Sequence, residues 1–171
     1  MASEHRINIV GAAGAGTTTL GKGLASKLKC MHFEADDFLW LPTTPPYQEM
    51  RSHSEKVQIA YESLAAQKSF VISGSVSSWG SRITELLTHV VYLYVPTEIR
   101  LSRLVKRETE RFGRIDADFY EWAAQYDEGR LPGRSRAKHE SWLSSLDCKV
   151  TKLDGVQTVD ESLDRITKDL A

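Results

Sequence analysis

Short apolar runs alternate with amphipathic stretches along the whole chain. Residues 7–10, 70–72 and 90–95 form nearly continuous apolar runs, and residues 30–33 and 149–153 form two weaker ones. Continuous runs of this length indicate strands that are buried on both faces of a parallel sheet. The pattern therefore predicts five strands, three of them buried and two of them weaker candidates.

The stretches between these runs repeat their apolar positions with a helical period. Helices are predicted over residues 18–29, 51–68, 98–112, 115–126, 134–146 and 159–170. Strands that alternate with helices require crossover connections. The sequence thus predicts an α/β fold, a three-layer α/β/α sandwich with a five-stranded parallel sheet. A proline-rich loop over residues 41–47 separates the early elements from the helix that begins near residue 51.

Length and composition narrow the class of protein. The 171 residues suit one domain, and the net charge of −1 argues against a nucleic-acid binder that depends on a positive field. No apolar run approaches the ~20 residues that a transmembrane helix needs. The polar N-terminus lacks the pattern of a signal peptide. Cys30 and Cys148 are interpreted as buried thiols, so we expect a cytoplasmic protein.

A glycine-rich segment directly follows the first predicted strand. It resembles a phosphate-binding loop, in which glycines let the backbone approach an anion and the next helix offers unpaired N–H groups. Its spacing is that of the Walker A pattern. Its residues are Gly11, Ala12, Ala13, Gly14, Ala15, Gly16, Thr17, Thr18 and Thr19.

Two other interpretations of this segment remain open. It is compatible with a strand-to-helix turn that merely contains glycines. A dinucleotide loop of the Rossmann type fits less well, because Gly11, Gly14 and Gly16 have the opposite order of spacings. We favour a polyphosphate ligand, with the Thr18 hydroxyl on Mg²⁺.

Thr17 stands where the Walker A pattern has lysine. The lysine normally neutralises phosphate oxygens, and a neutral hydroxyl makes weaker hydrogen bonds than an ammonium group. Catalysis therefore needs another cation. Lys22, one turn beyond Thr18, is one candidate, although it also fits a solvated surface lysine.

Arginines supply further candidate cations. Four of them share one face of the helix predicted over residues 98–112, and such a face either is solvated or meets an anion. Arg114 extends the stripe if the helix continues past Gly113, and Arg134 and Arg136 form a second basic pair. Guanidinium contacts to phosphate would supply the charge that Thr17 lacks. The four arginines of the stripe are Arg100, Arg103, Arg107 and Arg111.

Acidic residues follow the second predicted strand. Glu34 and Asp36 are expected beside the phosphate loop, because ligands bind beyond the carboxyl ends of parallel strands. Asp36 is predicted either to hold Mg²⁺ through water or to orient an acceptor hydroxyl as a general base. Helix capping is the alternative, which we prefer for Asp37.

Aromatic residues and a glycine suggest a substrate pocket nearby. Trp40 and Trp79 follow two different strand ends, so a shared pocket for a flat substrate competes with two ordinary core positions. Gly74, after the third strand, would let backbone N–H groups face the substrate or the γ-phosphate.

This pattern resembles the small P-loop kinases of the nucleoside-monophosphate-kinase and shikimate/gluconate-kinase type, and the adenylate-kinase-related bacterial ATPases that carry Gly-Thr-Thr-Thr. The resemblance covers residues 7 to about 154. Glu34-x-Asp36 is similar to the Asp-x-Asp of shikimate kinases. The resemblance implies ATP and Mg²⁺ as ligands, with adenine packed near Asp154, Gly155 and Val156. It also implies an acceptor segment over about 38–68 and a lid over about 103–136.

The sequence therefore predicts a single-domain kinase, monomeric or homodimeric, that transfers the γ-phosphoryl group of ATP to a small hydroxyl or phosphate acceptor. Asp36 would orient the acceptor, and Arg103, Arg107, Arg134 and Arg136 would stabilise the transferred charge. Because Thr17 replaces lysine, a nucleotide-binding regulatory protein with little transfer activity is the alternative. A nucleic-acid-acting enzyme is a third hypothesis, which rests on the arginine stripe alone.

Overall fold

A computed structural model describes residues 3–155 and 157–171 of the chain. Five strands form one parallel sheet in the order β2-β3-β1-β4-β5. Their bounds are β1 Arg6–Gly11, β2 Met31–Glu34, β3 Phe70–Ser73, β4 His89–Tyr94 and β5 Lys149–Asp154. The carboxyl end of β1 lies between β3 and β4, at the point where the strand order reverses. In open parallel sheets this is where ligands bind.

Eight helices of the described residues connect and cover the strands. On one face of the sheet, side chains of the first and last helices form a core with the strands; on the other face the second, third, fourth and seventh helices do the same. The predicted three-layer sandwich is confirmed. The helices are α1 Thr17–Leu28, α2 Ala35–Leu39, α3 His53–Ala65, α4 Ser81–Thr84, α5 Thr97–Phe112, α6 Ala117–Ala124, α7 Arg136–Ser144 and α8 Val159–Leu170.

The apolar pattern explains the position of each strand in the sheet. β1, β3 and β4 are the central strands, and nearly all of their residues are buried. β2 and β5 are the edge strands, whose residues are partly exposed. Exposure at the edges is the reason why their sequences carry a weaker apolar pattern.

Helix ends differ from the sequence prediction in identifiable ways. α2 and α4 were missed because five and four residues are too few to show a helical period. The helix that carries the arginine stripe ends at Phe112, because Gly113 adopts a left-handed conformation with φ 80° and caps it. Arg114 therefore does not extend the stripe. None of the described helices is both long enough and apolar enough to cross a bilayer.

One glycine of α1 is required by close packing on the sheet. A Cβ atom at Gly21 would overlap Ser73 Oγ and lie 2.9 Å from His32 Nε2. A Cβ at Gly23 would meet only the end of the Leu163 side chain, at 3.2 Å. The packing of α1 against β2 and β3 thus depends on Gly21 and tolerates change at Gly23.

We therefore expect Gly21→Ala to lower the free energy of unfolding by about 1–3 kcal/mol through overpacking. Gly23→Ala is the matched control on the same helix, and we expect it to be neutral or stabilising by up to about 1 kcal/mol, because alanine favours helix. Urea unfolding followed by circular dichroism measures both. Equal losses of stability in the two variants would contradict this account of the packing.

Candidate nucleotide-binding and acceptor site

The glycine-rich segment forms the turn that joins β1 to α1. Gly14 and Gly16 have φ values of 80° and 94°, in the left-handed region that favours glycine. The Ala15 N–H donates to the Ala12 carbonyl at 3.1 Å, which closes the turn before the helix begins at Thr17. The first N–H groups of α1 have no partner within the helix, so they are available to an anion at the carboxyl edge of the sheet.

The buried side chain of Arg100 packs against this turn on its α5 side. Arg100 is fully buried and donates to the carbonyl oxygens of Ala13 at 3.1 Å, Val95 at 3.0 Å and Ala123 at 3.2 Å. A Cβ on Gly14 would lie 2.7 Å from the Arg100 carbonyl, so the turn rests directly on α5. Neither predicted alternative for this arginine, a solvated face or an anion site, applies: backbone carbonyls occupy its guanidinium, which makes it structural.

Glu34 lies against the threonine of the phosphate-binding pattern. The Thr18 hydroxyl donates to Glu34 Oε2 at 3.1 Å, and Glu34 Oε1 is buried with no hydrogen-bond partner among the described residues. Burial raises the pKa of Glu34 and outweighs the hydrogen bond from Thr18, which lowers it. A buried, unpaired carboxylate oxygen of this kind is expected to accept a ligand.

Two further polar side chains, those of Ser73 and His32, lie between the sheet and the start of α1 beside this carboxylate. The Ser73 hydroxyl donates to the Thr17 carbonyl at 2.9 Å and lies 2.9 Å from His32 Nε2. His32 Nε2 is 3.6 Å from Glu34 Oε1, and burial lowers the pKa of His32. The neutral form of the imidazole is thus favoured, so His32 does not balance the negative charge of Glu34 as a protonated histidine would.

Thr18 and Glu34 fit Mg²⁺ in the way that P-loop proteins use it. Mg²⁺ prefers oxygen ligands, keeps several waters and is completed by substrate phosphates. No cluster of three or more His, Cys, Asp or Glu side chains that could form a metal cage is present in residues 3–155 and 157–171. The donor set therefore suits a magnesium ion that arrives with a nucleotide.

Asp36 lies beside this pair but does not touch Thr18. It is exposed on the first turn of α2. Its negative charge raises the pKa of Glu34. Burial lowers the pKa of Arg134, and the charge of Asp36 offsets part of that lowering. The structure thus brings Glu34 to the predicted metal threonine, and Asp36 interacts electrostatically with both Glu34 and Arg134.

The two tryptophans of the predicted pocket are separated. Trp40 packs edge-on against Tyr47, with ring centroids 5.8 Å apart, and lines an open cleft of about 250 Å³ that also includes Asp36 and Arg51. Trp79 is only 3% exposed and packs against Phe38 in the core. The shared aromatic pocket is not formed, because the α2 side chain Phe38 fills the space beside Trp79.

A buried lysine that was not among the predicted site residues packs against Trp79. Lys56 is 8% exposed, and its Nζ lies 5.2 Å from the centre of the Trp79 ring. Burial lowers its pKa, and no carboxylate within the described ranges forms an ion pair with it. Lys56, Ala60 and Leu64 are the buried positions of α3. A lysine at the helical spacing of two apolar core residues was the detectable sign.

The remaining arginines have different surroundings. Arg103 Nη1 is 3.4 Å from the Ala15 carbonyl, whereas Arg107 pairs with Glu108 at 2.8 Å. Arg134 lies 5.2 Å from the Trp122 ring centre, and Arg136 lies 4.5 Å from that of Tyr94. Arg103 is therefore at the phosphate-binding turn, Arg134 interacts electrostatically with Asp36, and the contacts of Arg107 and Arg136 are with other described residues.

A second cleft, of about 230 Å³, lies on the other side of the turn. The predicted adenine-side residue Gly155 lines it, with its N–H donating to the Tyr94 carbonyl at 2.6 Å, and predicted Val156 lies outside the described residues. Predicted Gly74 has φ 107°, and its N–H donates to the Ile9 carbonyl, so it forms part of the carboxyl edge. The cleft is also lined by Ala15, Gly16, Thr19, Arg103, Gln157 and Ser162.

A family model described as an AAA domain matches residues 7–120, more than half of the chain. The chain belongs to the AAA domain family. A relative of this AAA domain protein, "Uncharacterized protein YqaC" of Bacillus subtilis (strain 168), is 34% identical over 173 residues, which cover 95% of this chain and 96% of the relative. The match over nearly both full lengths extends the similarity beyond the phosphate-binding turn.

Solved structures show which fold this AAA domain protein shares. A shikimate kinase from Bacteroides thetaiotaomicron is similar over 97% of this chain and 98% of its own, with a TM-score of 0.59 and 18% identity. A shikimate kinase from Acinetobacter baumannii in complex with shikimate covers 97% and 92%, with a TM-score of 0.61 and 16% identity. A gluconokinase from Sinorhizobium meliloti 1021 covers 99% and 97%, with a TM-score of 0.56 and 14% identity. The predicted P-loop kinase fold is confirmed.

Proposed function

We propose that this protein transfers the γ-phosphoryl group of Mg-ATP to a small-molecule acceptor. The observation that carries the proposal is the Thr18–Glu34 pair under a glycine-rich turn, with one buried carboxylate oxygen left without a hydrogen bond. Burying an unpaired carboxylate oxygen at a helix start is costly, so its presence here favours a bound cation. A nucleotide-bound magnesium ion with its waters would satisfy it.

The chain's own residues would divide the work around the nucleotide. The turn from Gly11 to Thr19 and the first N–H groups of α1 bind the phosphates. Thr18 and Glu34 hold Mg²⁺, directly or through water, and the ion when bound neutralises charge on the β- and γ-phosphate oxygens. The cleft lined by Gly155 would take the nucleoside, because it adjoins the turn on the side of β5 and α8.

The acceptor would bind between α2 and Arg134. Asp36 takes the proton of the acceptor hydroxyl while that oxygen attacks the γ-phosphorus and the bond to the β–γ bridging oxygen breaks, which releases ADP. Lys56 and Arg134 make no ion pair with a carboxylate of the described chain. Two such cations favour an acceptor that carries an anionic group as well as a hydroxyl. The acceptor segment over about 38–68 and the lid over about 103–136 remain predictions.

Arg103 is our candidate for the cation that replaces the Walker A lysine. It is the predicted catalytic arginine whose guanidinium reaches the turn, 3.4 Å from the Ala15 carbonyl. We expect Arg103→Met to reduce transfer about tenfold, the effect of losing one charge-assisted hydrogen bond. Arg107→Met, on the same helix, is the matched control and should have little effect, because Arg107 already pairs with Glu108. Steady-state kinetics that show equal losses would contradict this assignment.

A nucleotide-binding regulatory protein with little transfer activity is the second candidate. Thr17 is the observation that favours it, because a hydroxyl stabilises developing phosphate charge less than an ammonium group does. An acceptor panel separates the two functions: release of ADP from Mg-ATP is measured with polyols, sugar acids, nucleosides and nucleoside monophosphates. Acceptor-dependent release supports the kinase. ATP binding with no acceptor-dependent release across the panel would favour the regulatory protein.

A further inference from the structure

A relay of hydrogen-bonded side chains crosses the core beside the proposed acceptor site. His139 is fully buried, its Nε2 lies 2.9 Å from Ser75 Oγ, and its Nδ1 lies 2.7 Å from the Tyr126 hydroxyl. The Tyr126 hydroxyl lies 2.9 Å from that of Tyr92, and Ser75 Oγ lies 3.0 Å from Ser77 Oγ. This relay joins β4, α7 and the segment after α6 to the loop that follows β3.

The imidazole of this relay is neutral. Burial lowers the pKa of His139 to about 4, and the neighbouring charge of Arg134 acts in the same direction. Burial also raises the pKa of Tyr126 and of Tyr92, so both phenols keep their protons. A neutral imidazole donates from one nitrogen and accepts at the other, so its two tautomers set opposite donor directions along the relay.

The two directions differ in the proton that is left over. If the protons run from Ser75 toward the tyrosines, the Tyr92 hydroxyl ends the relay as a donor. Tyr92 is 4% exposed, and its hydroxyl has no other hydrogen-bond partner in the described part of the chain. A buried donor without an acceptor is strongly disfavoured.

In the opposite direction every buried donor is satisfied. Tyr92 donates to Tyr126, Tyr126 donates to His139 Nδ1, and the proton on Nε2 donates to Ser75 Oγ. The proton left over then belongs to the hydroxyl pair Ser75 and Ser77. Both of these side chains are half-buried, so a proton of this pair can be donated to a ligand without facing the core.

The loop that carries Ser75 and Ser77 packs against α2, beside the proposed acceptor site. A Cβ on Gly74, next to Ser75, would lie 2.8 Å from the Cβ of Ala35, the neighbour of Asp36. Arg134 interacts electrostatically with both His139 and Asp36. The hydroxyl pair therefore lies on a loop that packs against the neighbour of a candidate general base, and His139 links it to a residue within the field of Arg134.

We propose that Ser75 is a hydrogen-bond donor for an anionic oxygen of the acceptor, and that His139 is a positioning residue that directs this hydroxyl. The proposal deepens the proposed function and rests on it for the identity of the site as an acceptor site. The ligand group is a phosphate or carboxylate oxygen, since it must accept a hydrogen bond from the Ser75 hydroxyl near the positive charge of Arg134.

The direction of the relay is measured by two-bond ¹H–¹⁵N correlation NMR of the full-length protein at pH 7. His139→Gln assigns the signal. The expected result is a proton on Nε2 of His139 and none on Nδ1, with this preference weakened in Tyr126→Phe, which removes the donor to Nδ1. A proton on Nδ1 in the wild-type protein would overturn the proposal, whether or not the protein transfers phosphate.

The ligand is tested with inorganic phosphate as the probe, followed through backbone amide shifts. We expect saturable shifts at Ser75 and Ser77 in the wild-type protein and in Ser75→Thr, which keeps the hydroxyl, and at least threefold weaker binding in Ser75→Ala. Shifts confined to the residues 11–19 turn, or equal affinity in all three proteins, would overturn the donor role. If the proposed function is wrong, phosphate causes no amide shifts at residues 11–19 of the wild-type protein. That result differs from a loss at Ser75 and Ser77 alone, so the two failures are distinguishable.

Discussion

Replacing Glu34 with glutamine is expected to raise the magnesium concentration that nucleotide binding requires by about 10- to 100-fold, the range of affinity lost with a partner of a metal site. Glutamine can still accept the hydrogen bond from Thr18, which is 3.1 Å from Glu34 Oε2, so the local structure should persist. The change removes the negative charge and turns the unpaired carboxylate oxygen Oε1 into part of a neutral amide. The loss would therefore report on charge at the metal rather than on folding.

Calorimetric titration of ADP at a series of magnesium concentrations measures this effect. Glu110→Gln is the control, because Glu110 is an exposed glutamate of α5 outside both clefts. The variant Glu34→Gln should approach the wild-type affinity only at much higher magnesium. If its magnesium dependence matched that of the control, Glu34 would have no part in holding the ion.

Acid is expected to destabilise the protein through His139. The pKa of His139 is lowered from 6.5 to about 4 in the folded protein, so between these values the unfolded chain binds a proton that the folded protein does not. Stability is then lost as the pH falls from about 6.5 to about 4, by up to roughly 3 kcal/mol from this residue. The charges that face the relay on its packed neighbours are Arg100, Asp127, Arg134, Arg136 and Glu140.

Urea unfolding at pH 7 and pH 4.5 tests this expectation. His139→Gln can still donate to Ser75 and does not titrate, so its stability should fall by less than that of the wild-type protein over the same interval. His53→Gln, at an exposed position of α3, should follow the wild-type protein. A loss that is the same in His139→Gln and in the wild type would assign the acid sensitivity to other groups.

Hydrophobic patterning predicted the layers of the fold because it reports burial. The continuous runs became β1, β3 and β4, which are covered on both faces, and the partly exposed edge strands gave the weaker runs. Short elements escape this reasoning. α2 is five residues long and starts at Ala35, so Asp36 and Asp37 lie in a helical first turn that no periodicity could reveal.

Charged residues were harder to place than apolar ones. Helical spacing put Arg100 and Arg103 on one face, but spacing cannot tell which end of that face meets the phosphate-binding turn. In the structure the side chain of Arg100 is buried under Ala13, whereas Arg103 reaches Ala15 from outside. Lys56 shows a related limit. Its spacing with the buried residues of α3 indicates burial, but only tertiary packing shows that no carboxylate of the described residues pairs with it.

The acidic pair shows a similar limit. Glu34 and Asp36 were both expected beside the phosphate loop, and Asp36 was predicted either to hold Mg²⁺ through water or to act as a general base. The structure brings Glu34 to Thr18 because Glu34 is the last residue of β2 and is paired in register with Ser73 of β3. Which residue of a short acidic segment still belongs to the strand depends on sheet register, which local sequence does not determine.

Calorimetric titration of Mg-ATP, Mg-ADP and adenosine into the wild-type protein and Gly16→Val tests the central claim most directly: the turn from Gly11 to Thr19 binds nucleotide phosphates without the usual lysine. Gly16 has φ 94°, which valine rarely adopts, so the variant should distort the turn. We predict binding of both nucleotides to the wild-type protein, no measurable binding of adenosine, and loss of nucleotide binding in Gly16→Val. Absence of nucleotide binding to the wild-type protein, or unchanged affinity in Gly16→Val, would contradict the account.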